Sequence, residues 1–143
     1  MAFIEDMGQL MVGWGIPRTT GRIYAYLLLQ RKPATLDDIA SDLSIAKSGA
    51  SVASRQLAHL GLARAAGQPG SRRVLYEALD NIDSIIAARF AQMNDLVLRL
   101  RQGARVASAG PGRQRLQNMA DWCEEWIKQF SLVMRRLEKR RRR

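Results

Sequence analysis

The strongest constraint on the fold lies between Leu36 and Tyr76. Two short helical patterns are separated by a tight turn, and two strand-like runs then flank a tip rich in Gly, Pro and Ser. Helix, turn, helix and β-ribbon in this order are typical of a winged helix-turn-helix. We therefore expect a mainly α chain with a small β-wing, in which this segment forms a DNA-binding lobe.

The two helices of this segment carry separate start and stop signals. Thr35 is a good N-cap for the first helix, and two acids follow in its first turn, where the helix dipole favours negative charge. Residues 44–45 are predicted to make the turn. The second helix is expected at about 46–59, and Gly61 should end it, because glycine readily adopts the left-handed conformation found after helices.

The second helix has two distinct faces. Apolar positions at 50, 53, 57 and 60 follow a 3-4-3 spacing, which predicts the buried face. The opposite face presents small or basic side chains, which are Lys47, Ser48, Ser51, Val52 and Arg55. Arg55 is long enough to read a guanine edge with two hydrogen bonds, and Val52 could contact a thymine methyl group. The alternative is an ordinary solvated face on which Arg55 pairs with a neighbouring carboxylate.

The β-ribbon is expected from two extended runs, 62–66 and 74–78, with Arg72 and Arg73 just after the turn between them. A narrow, electronegative minor groove attracts inserted arginines, so these two residues are candidates for minor-groove or phosphate contact. Arg64 on the first strand is either a phosphate contact or an ordinary strand residue.

Charge supports a polyanionic partner. The net charge is +10, and two segments account for all of it. Residues 41–76 hold five bases against one acid, which is +4, and residues 135–143 hold seven bases against one acid, which is +6. Lysine and arginine gain affinity for nucleic acid by displacing counterions from phosphates, so we predict double-stranded DNA as the partner of the winged segment. A solubilising charge excess is the alternative, mainly for residues 135–143, which form either a disordered arm or a solvated helix end.

Helical patterns flank the winged segment on both sides. An N-terminal helix is expected within residues 1–14, and another begins near Arg18. After Asn81 a long helical pattern runs to a linker or sharp bend at 103–112, and the following helix shows the clearest periodicity in the chain. Its positions step by three and four along a heptad seam, which comprises Leu116, Met119, Cys123, Trp126, Phe130, Val133 and Leu137.

So wide an apolar stripe exceeds what the remaining core could bury. We therefore expect the seam to pack against a second copy of the chain, together with Phe3, Met7 and Leu10 of the N-terminal helix. The predicted organisation is a single domain over 1–143, with a winged lobe at 18–80. Residues 1–14 and 81–143 are the dimerisation helices, and the latter ends in a basic tail.

The chain resembles the MarR superfamily of bacterial winged helix-turn-helix regulators, and in particular its GbsR-type branch. The resemblance covers most of residues 10–135. It rests on GIPRTTGRIYAYLLL at 15–29, LDDIASDLSIAKSGASVASRQLAHLGL at 36–62, PGSRRVLYEA at 69–78 and RLQNMADWCEEW at 115–126. Two positions depart from the family pattern: Ala46 stands where the recognition helix usually opens with Ser or Thr, and Ser71 replaces an Asp of the wing.

This resemblance implies a homodimeric, cytoplasmic transcriptional regulator, a repressor bound to a pseudo-palindromic operator. Its two recognition helices would enter major grooves about 34 Å apart. Regulators of this superfamily often bind a small-molecule effector between their dimerisation helices and DNA-binding lobe. The residues that would line such a site are aromatic, namely Trp14, Tyr24, Tyr26, Trp122, Trp126 and Phe130, and an aromatic box suits a quaternary ammonium. The alternative is that they are core and dimer-seam residues.

Other function classes have little support in the sequence. His59 is the single histidine and Cys123 the single cysteine, so neither a disulfide framework nor a metal or cofactor site is expected. No Gly-rich phosphate loop or catalytic constellation points to an enzyme. No apolar run is long enough to span a membrane, and the start of the chain lacks the pattern of a secretion signal. The remaining alternative is a non-enzymatic winged-helix module that binds protein or RNA.

Overall fold

The computed structural model describes all 143 residues, as six helices and three short strands. In chain order these are α1 (Ala2–Val12), α2 (Arg18–Leu29), β1 (Ala34–Thr35), α3 (Leu36–Leu43), α4 (Lys47–His59), β2 (Ala63–Gly67), β3 (Val74–Ala78), α5 (Asp83–Val106) and α6 (Pro111–Arg141). The chain divides into two compact units, residues 1–85 and residues 86–143. The predicted mainly α fold with a small β-wing is confirmed.

The strands form one antiparallel sheet in the order β1-β3-β2. Strands β2 and β3 make the wing, and Arg64 lies opposite Glu77 in their register. The first wing strand begins one residue later than predicted. Strand β1 was not predicted, because two residues are too few to show a periodicity; it pairs Ala34 with Tyr76 and ties the start of α3 to the wing.

The core of the first unit gathers around α2. Its largest fully buried side chains include Met11, Ile23, Ile39, Leu57 and Leu62, which come from four helices and the segment before β2. The predicted inward face of α4 is confirmed at 50, 53 and 57, and residue 60 is half-buried. Apolar burial of this kind stabilises a fold by roughly 25 cal/mol per Å², so this core fixes α4 against the rest of the unit.

The predicted turn between α3 and α4 is present, and within it Ser44 adopts the left-handed conformation at φ 55°. The amide of Ile45 donates to the carbonyl of Ala40 over 3.0 Å, which closes the end of α3. Ala46 is the N-cap of α4 and provides no side-chain hydrogen bond. Gly61, at φ +76°, follows α4 as predicted. Helix α4 therefore starts without a side-chain cap, and the turn before it fixes its position.

Thr35 caps α3 in the manner predicted, and the cap is reciprocal. The Asp38 amide donates to the Thr35 Oγ1 over 3.1 Å, and the Thr35 amide donates to the Asp38 carboxylate over 3.1 Å. Hydrogen bonds from the backbone amide and the side chain of Thr35 to the carboxylate are the main causes that lower the pKa of Asp38, with smaller contributions from Lys32 and Arg73. A capping box of this type satisfies two backbone donors that the first helical turn leaves unpaired.

Replacing Thr35 with alanine is expected to lower the free energy of unfolding by about 1 kcal/mol, because the cap to the Asp38 amide is lost. Urea denaturation followed by circular dichroism measures this change. Thr35→Ser is the matched control, since serine keeps the accepting hydroxyl and should remain close to the parent. Equal losses in the two variants would show that the threonine methyl group, and not the cap, supplies the stability.

Helices α5 and α6 of the second unit pair in antiparallel fashion. Arg101 on α5 binds the carboxylates of Asp121 and Glu124 on α6 at 2.6 and 2.9 Å, and the rings of Phe90 and Phe130 stack. The guanidinium of Arg113 donates to the Ala107 carbonyl near the C-terminus of α5. The linker predicted at 103–112 is shorter than expected, because α5 continues to Val106 and α6 begins at Pro111.

The predicted single seam on α6 is wrong in part, because its residues divide between two faces. Leu116 and Cys123 pack inside the second unit, with Val97, Leu100 and Ala120. Phe130 is half-buried in its stack on Phe90. The remaining seam positions are exposed and, with Trp122, form what we call the outer stripe of α6: Met119, Trp122, Trp126, Val133 and Leu137. A heptad pattern defines one broad arc of a helix, and here α5 covers only part of that arc.

Helix α1 packs on α2 within the first unit. Met11 is fully buried and Met7 is half-buried, whereas Phe3 and Leu10 are exposed. Glu5 accepts hydrogen bonds from Arg22 at 2.8 Å and from Arg18 at 2.5 Å. The hydrogen bond from Arg22 is the main reason that the pKa of Glu5 is lowered. This ion pair is complete above the ordinary pKa of a glutamate and is lost as the pH falls through the lowered value.

None of the helices is both long and apolar enough to cross a membrane.

Candidate nucleic-acid interface

The outward face of α4 is open to solvent. Lys47, Ser48, Val52 and Arg55 are exposed and Ser51 is half-buried, so the structure brings all five predicted reading residues onto one face. Val52 is 62% exposed, which is unusual for a valine in a helix that packs on the core of the first unit. Gly49 is exposed beside this face, and a Cβ added there would meet no atom within 4 Å. The face is therefore smooth, with room for the close approach of another surface.

The two long basic side chains of α4 differ in their partners. The ammonium of Lys47 lies 3.0 Å from the carboxylate of Asp37, in a pair exposed on both sides. Arg55 forms no ion pair, and its Nε donates to the Ser51 carbonyl over 3.3 Å. The expected alternative, in which a neighbouring carboxylate holds Arg55, is not what the structure shows. Its two Nη groups therefore keep their donors for an external acceptor.

Hydrogen bonds fix α3 and α4 against α2. Thr20 donates to the side-chain oxygen of Gln56 on α4 over 2.8 Å. Tyr26 donates to the carboxylate of Asp42 on α3 over 2.5 Å. Burial of the phenol is the main cause that raises the pKa of Tyr26, and the contact with Asp42 is the second. Because these donors and acceptors hold both helices of the motif, the outward face of α4 is displayed on a rigid support.

The wing carries the second group of predicted residues. Arg64 forms an ion pair with Glu77 across the two strands, so its charge is compensated within the wing. Arg72 and Arg73 are exposed and form no ion pair. Ser71 accepts a hydrogen bond from the Arg73 amide over 3.1 Å. The serine thus orders the backbone of the tip without neutralising either arginine.

A groove beside α4 was not predicted from the sequence. It has a volume of about 410 Å³, and its lining comes from the start of α2 and from α4: Pro17, Thr19, Thr20, Ser48, Gly49, Val52, Ala53 and Gln56. Only Ser48 and Val52 among these were predicted site residues. The other residues are small or neutral and carry no charge signal, so only the packing of α2 against α4 reveals them.

The six predicted effector residues are not alike in the structure. Tyr24 and Tyr26 belong to the core of the first unit, and the Tyr24 hydroxyl donates to the Leu79 carbonyl over 2.8 Å. Burial, with a smaller contribution from Asp80, raises the pKa of Tyr24. Trp14 is partly exposed at 38%. In the second unit, Phe130 is stacked on Phe90.

Trp122 and Trp126 are the two effector candidates that the structure brings together on one open surface. Their rings meet edge to face with centroids 5.6 Å apart, and with Glu125 and Gln129 they line a pocket of about 190 Å³. An apolar aromatic wall of this kind can bury either a small apolar ligand or the side chains of another protein surface.

The remaining titratable residues form no cluster with metal-ligand character. No group of three or more His, Cys, Asp or Glu side chains could hold a metal ion. Cys123 is buried among apolar residues of the second unit, and His59 is exposed at the end of α4.

Two curated proteins are similar to part of this chain. An HTH-type transcriptional regulator of Bacillus subtilis (strain 168), YvaV, is 31% identical over 75 residues, which are 52% of this chain and 42% of that protein. The HTH-type transcriptional repressor OpcR of the same organism is 26% identical over 88 residues, 62% of this chain and 48% of that protein. The chain spans less than half the length of these relatives. No family model matches it.

A solved structure described as a transcriptional regulator shares the fold. It superimposes with a TM-score of 0.71 over 97% of both chains, at 23% sequence identity. The fold of this chain is therefore shared with a known structure.

Proposed function

We propose that the protein is a DNA-binding transcriptional regulator that recognises a specific duplex sequence through α4 and the wing. The observation that carries the proposal is the exposed outward face of α4, on which Arg55 has no ion-pair partner. The names of the two sequence relatives, which are HTH-type regulators, support the same function. Catalysis has no part in the proposal.

The proposed complex places α4 in the major groove and the wing tip against the backbone or minor groove. Arg55 would read a guanine edge, Val52 a thymine methyl group, and Ser48 and Ser51 would contact bases or phosphates. Lys47 would exchange Asp37 for a phosphate, because an exposed ion pair contributes little to stability. Arg72 and Arg73 would add contacts at the wing, and Arg64 the weakest contact, since Glu77 already compensates it.

We further propose that the protein is a homodimeric repressor of the GbsR-type branch of the MarR superfamily, and that it binds a pseudo-palindromic operator in the cytoplasm. The outer stripe of α6 supports the dimer, because it is a row of large apolar side chains that its own unit leaves exposed. Phe3 and Leu10 on α1 are further exposed candidates for the same interface. The Trp122–Trp126 pair is what supports a small-molecule effector, and a ligand there would compete with the dimer contact.

Selection of duplex sequences from a random pool, followed by footprinting, tests the proposed function. We expect one enriched site with two related half-sites and an affinity that falls steeply with salt. Equal affinity for random duplex, single strands and the selected pool would contradict a sequence-specific regulator. Such an outcome would favour the alternative of a winged-helix module that binds RNA or protein.

Replacing Arg55 with alanine is expected to cost about 1–3 kcal/mol of operator binding and to relax specificity at one base pair. Arg55→Lys separates base reading from phosphate contact, because lysine keeps the charge but cannot form the bidentate hydrogen bonds. Fluorescence anisotropy with a panel of single-base operator variants measures both effects. Arg31→Ala is the matched control, since Arg31 is an exposed, unpaired arginine of the same unit outside α4 and the wing. Unchanged operator affinity in Arg55→Ala would remove this residue from the reading surface.

A further inference from the structure

The C-terminal end of α6 is the most strongly charged surface of the molecule. Residues 135–143 hold seven bases and one acid, and all nine residues are exposed to solvent. The helix continues to Arg141, so this segment is a helical end and not an irregular arm. We call it the basic helix end. It carries +6 of the net charge of +10, more than the winged segment itself.

This concentration of charge works against the helix that carries it. Arg135 and Lys139, and likewise Arg136 and Arg140, are four positions apart on α6, where like charges repel and destabilise a helix. The helix dipole favours cations only within the last turn, which begins near Glu138. Arg135 and Arg136 lie before that turn, so the dipole does not account for them. An external polyanion would relieve the repulsion along the whole segment.

We propose that the basic helix end is a second contact surface for the phosphate backbone of duplex DNA, independent of base sequence. Its charge is complementary to phosphate, and six of its seven bases are arginines, whose planar guanidinium groups bind phosphate oxygens in pairs. An anionic membrane surface is the less suitable partner. Leu137 is the only apolar residue among the nine, whereas an interfacial helix needs an apolar face to insert.

The inference rests on the proposed function, because it assigns the same ligand class to a second surface. It also has a distinct consequence. Contacts to base edges change the ratio of operator to random affinity, whereas contacts to phosphate alone change both affinities together. The basic helix end should therefore contribute to the salt dependence of binding and leave the selectivity of α4 unchanged.

The test is a set of glutamine substitutions in the full chain, at Arg135, Arg136, Lys139, Arg140, Arg142 and Arg143. Binding to the selected operator and to a random duplex of the same length is measured by anisotropy over a series of salt concentrations. The slope of log K against log salt is negative, and each phosphate contact contributes about 0.9 to its magnitude. Loss of most of the six contacts should therefore reduce the magnitude of the slope by about 3–5. The operator-to-random ratio should stay the same.

A matched pair of variants controls for net charge. Lys139→Gln/Arg140→Gln and Arg115→Gln/Lys128→Gln each remove two positive charges from exposed positions of α6. We expect the first pair to reduce the magnitude of the slope by about 1–2 and the second pair to leave the slope near the parent value. Circular dichroism checks that α6 remains helical in all variants.

Binding of the parent and the sixfold variant to phosphatidylserine vesicles is measured by co-sedimentation as a parallel assay. Three outcomes would overturn the inference: an unchanged slope in the sixfold variant, equal slopes in the two matched pairs, or loss of vesicle binding in the sixfold variant without loss of duplex binding. Failure of the proposed function looks different. In that case the operator preference would be absent, while random-duplex binding would still depend on the basic helix end.

Discussion

Exchanging Trp126 for glutamate is expected to convert the proposed homodimer into monomers and to weaken operator binding about 100-fold or more. The size of the effect comes from linkage: in a dimer, binding of the first half-site makes the second contact intramolecular, which raises affinity by roughly 10²–10⁴. A monomer keeps the same α4 and wing but loses this gain. Sedimentation velocity measures the mass, and anisotropy on the full operator and on a single half-site measures the affinity.

Trp126 is the residue of choice because of its place in the outer stripe of α6. It is 52% exposed, stands edge to face with Trp122, and contributes to the apolar pocket beside that ring. A glutamate at this position leaves the inward face of α6, around Cys123, unchanged. A charged side chain in the middle of an apolar interface would be buried without a partner, and that cost opposes association.

Lys128→Glu is the matched control for Trp126→Glu. Lys128 is exposed on the same helix but outside the outer stripe, so the control makes a larger change of charge without touching the apolar surface. We expect it to sediment as a dimer and to bind a full operator nearly as well as the parent. A parent protein that sediments as a monomer at micromolar concentration, or a Trp126→Glu variant that stays dimeric, would contradict the assignment of this surface.

The winged segment could be predicted in detail because its signals are local. The N-cap at Thr35, the turn at 44–45 and the glycine at 61 each act over a few residues, and each is in the structure where the sequence indicated. The inward face of α4 follows equally directly from the spacing of its alanines and leucine. Local hydrogen bonding and helical periodicity decide these features without reference to the rest of the chain.

What could not be predicted depends on neighbours that are distant in sequence. The periodicity of α6 showed a broad apolar arc, but only the packing of α5 shows that Leu116 and Cys123 lie inside the unit while Trp126 lies outside. The groove beside α4 joins Pro17 to Gln56, two positions with no shared pattern. The state of Arg55 likewise depended on whether a carboxylate lay within reach, which no spacing along the chain could decide.

The crossing of α1 and α2 is a further feature of this kind, and two glycines make it possible. A Cβ added at Gly21 would lie 3.1 Å from the Cα of Gly8 and 3.2 Å from the Cβ of Met11. A Cβ added at Gly8 would lie 2.7 Å from the Cγ of Arg22 and 3.1 Å from the Arg18 carbonyl. The two helix backbones thus approach closely, and this approach brings Glu5 to Arg18 and Arg22 and buries Met11.

Gly21→Leu is therefore expected to push α1 away from α2 and to lower the free energy of unfolding by about 3 kcal/mol, the upper range for overpacking a tight contact. Gly49→Leu makes the same exchange within a helix where the added side chain meets open space, and it should stabilise by about 0.5–1 kcal/mol through helix propensity alone. Urea denaturation compares the two variants, and hydrogen exchange of the α1 amides reports whether that helix has come away. Equal midpoints for the two variants would mean that the first unit accommodates a side chain at Gly21, and that the close crossing does not hold α1 in place.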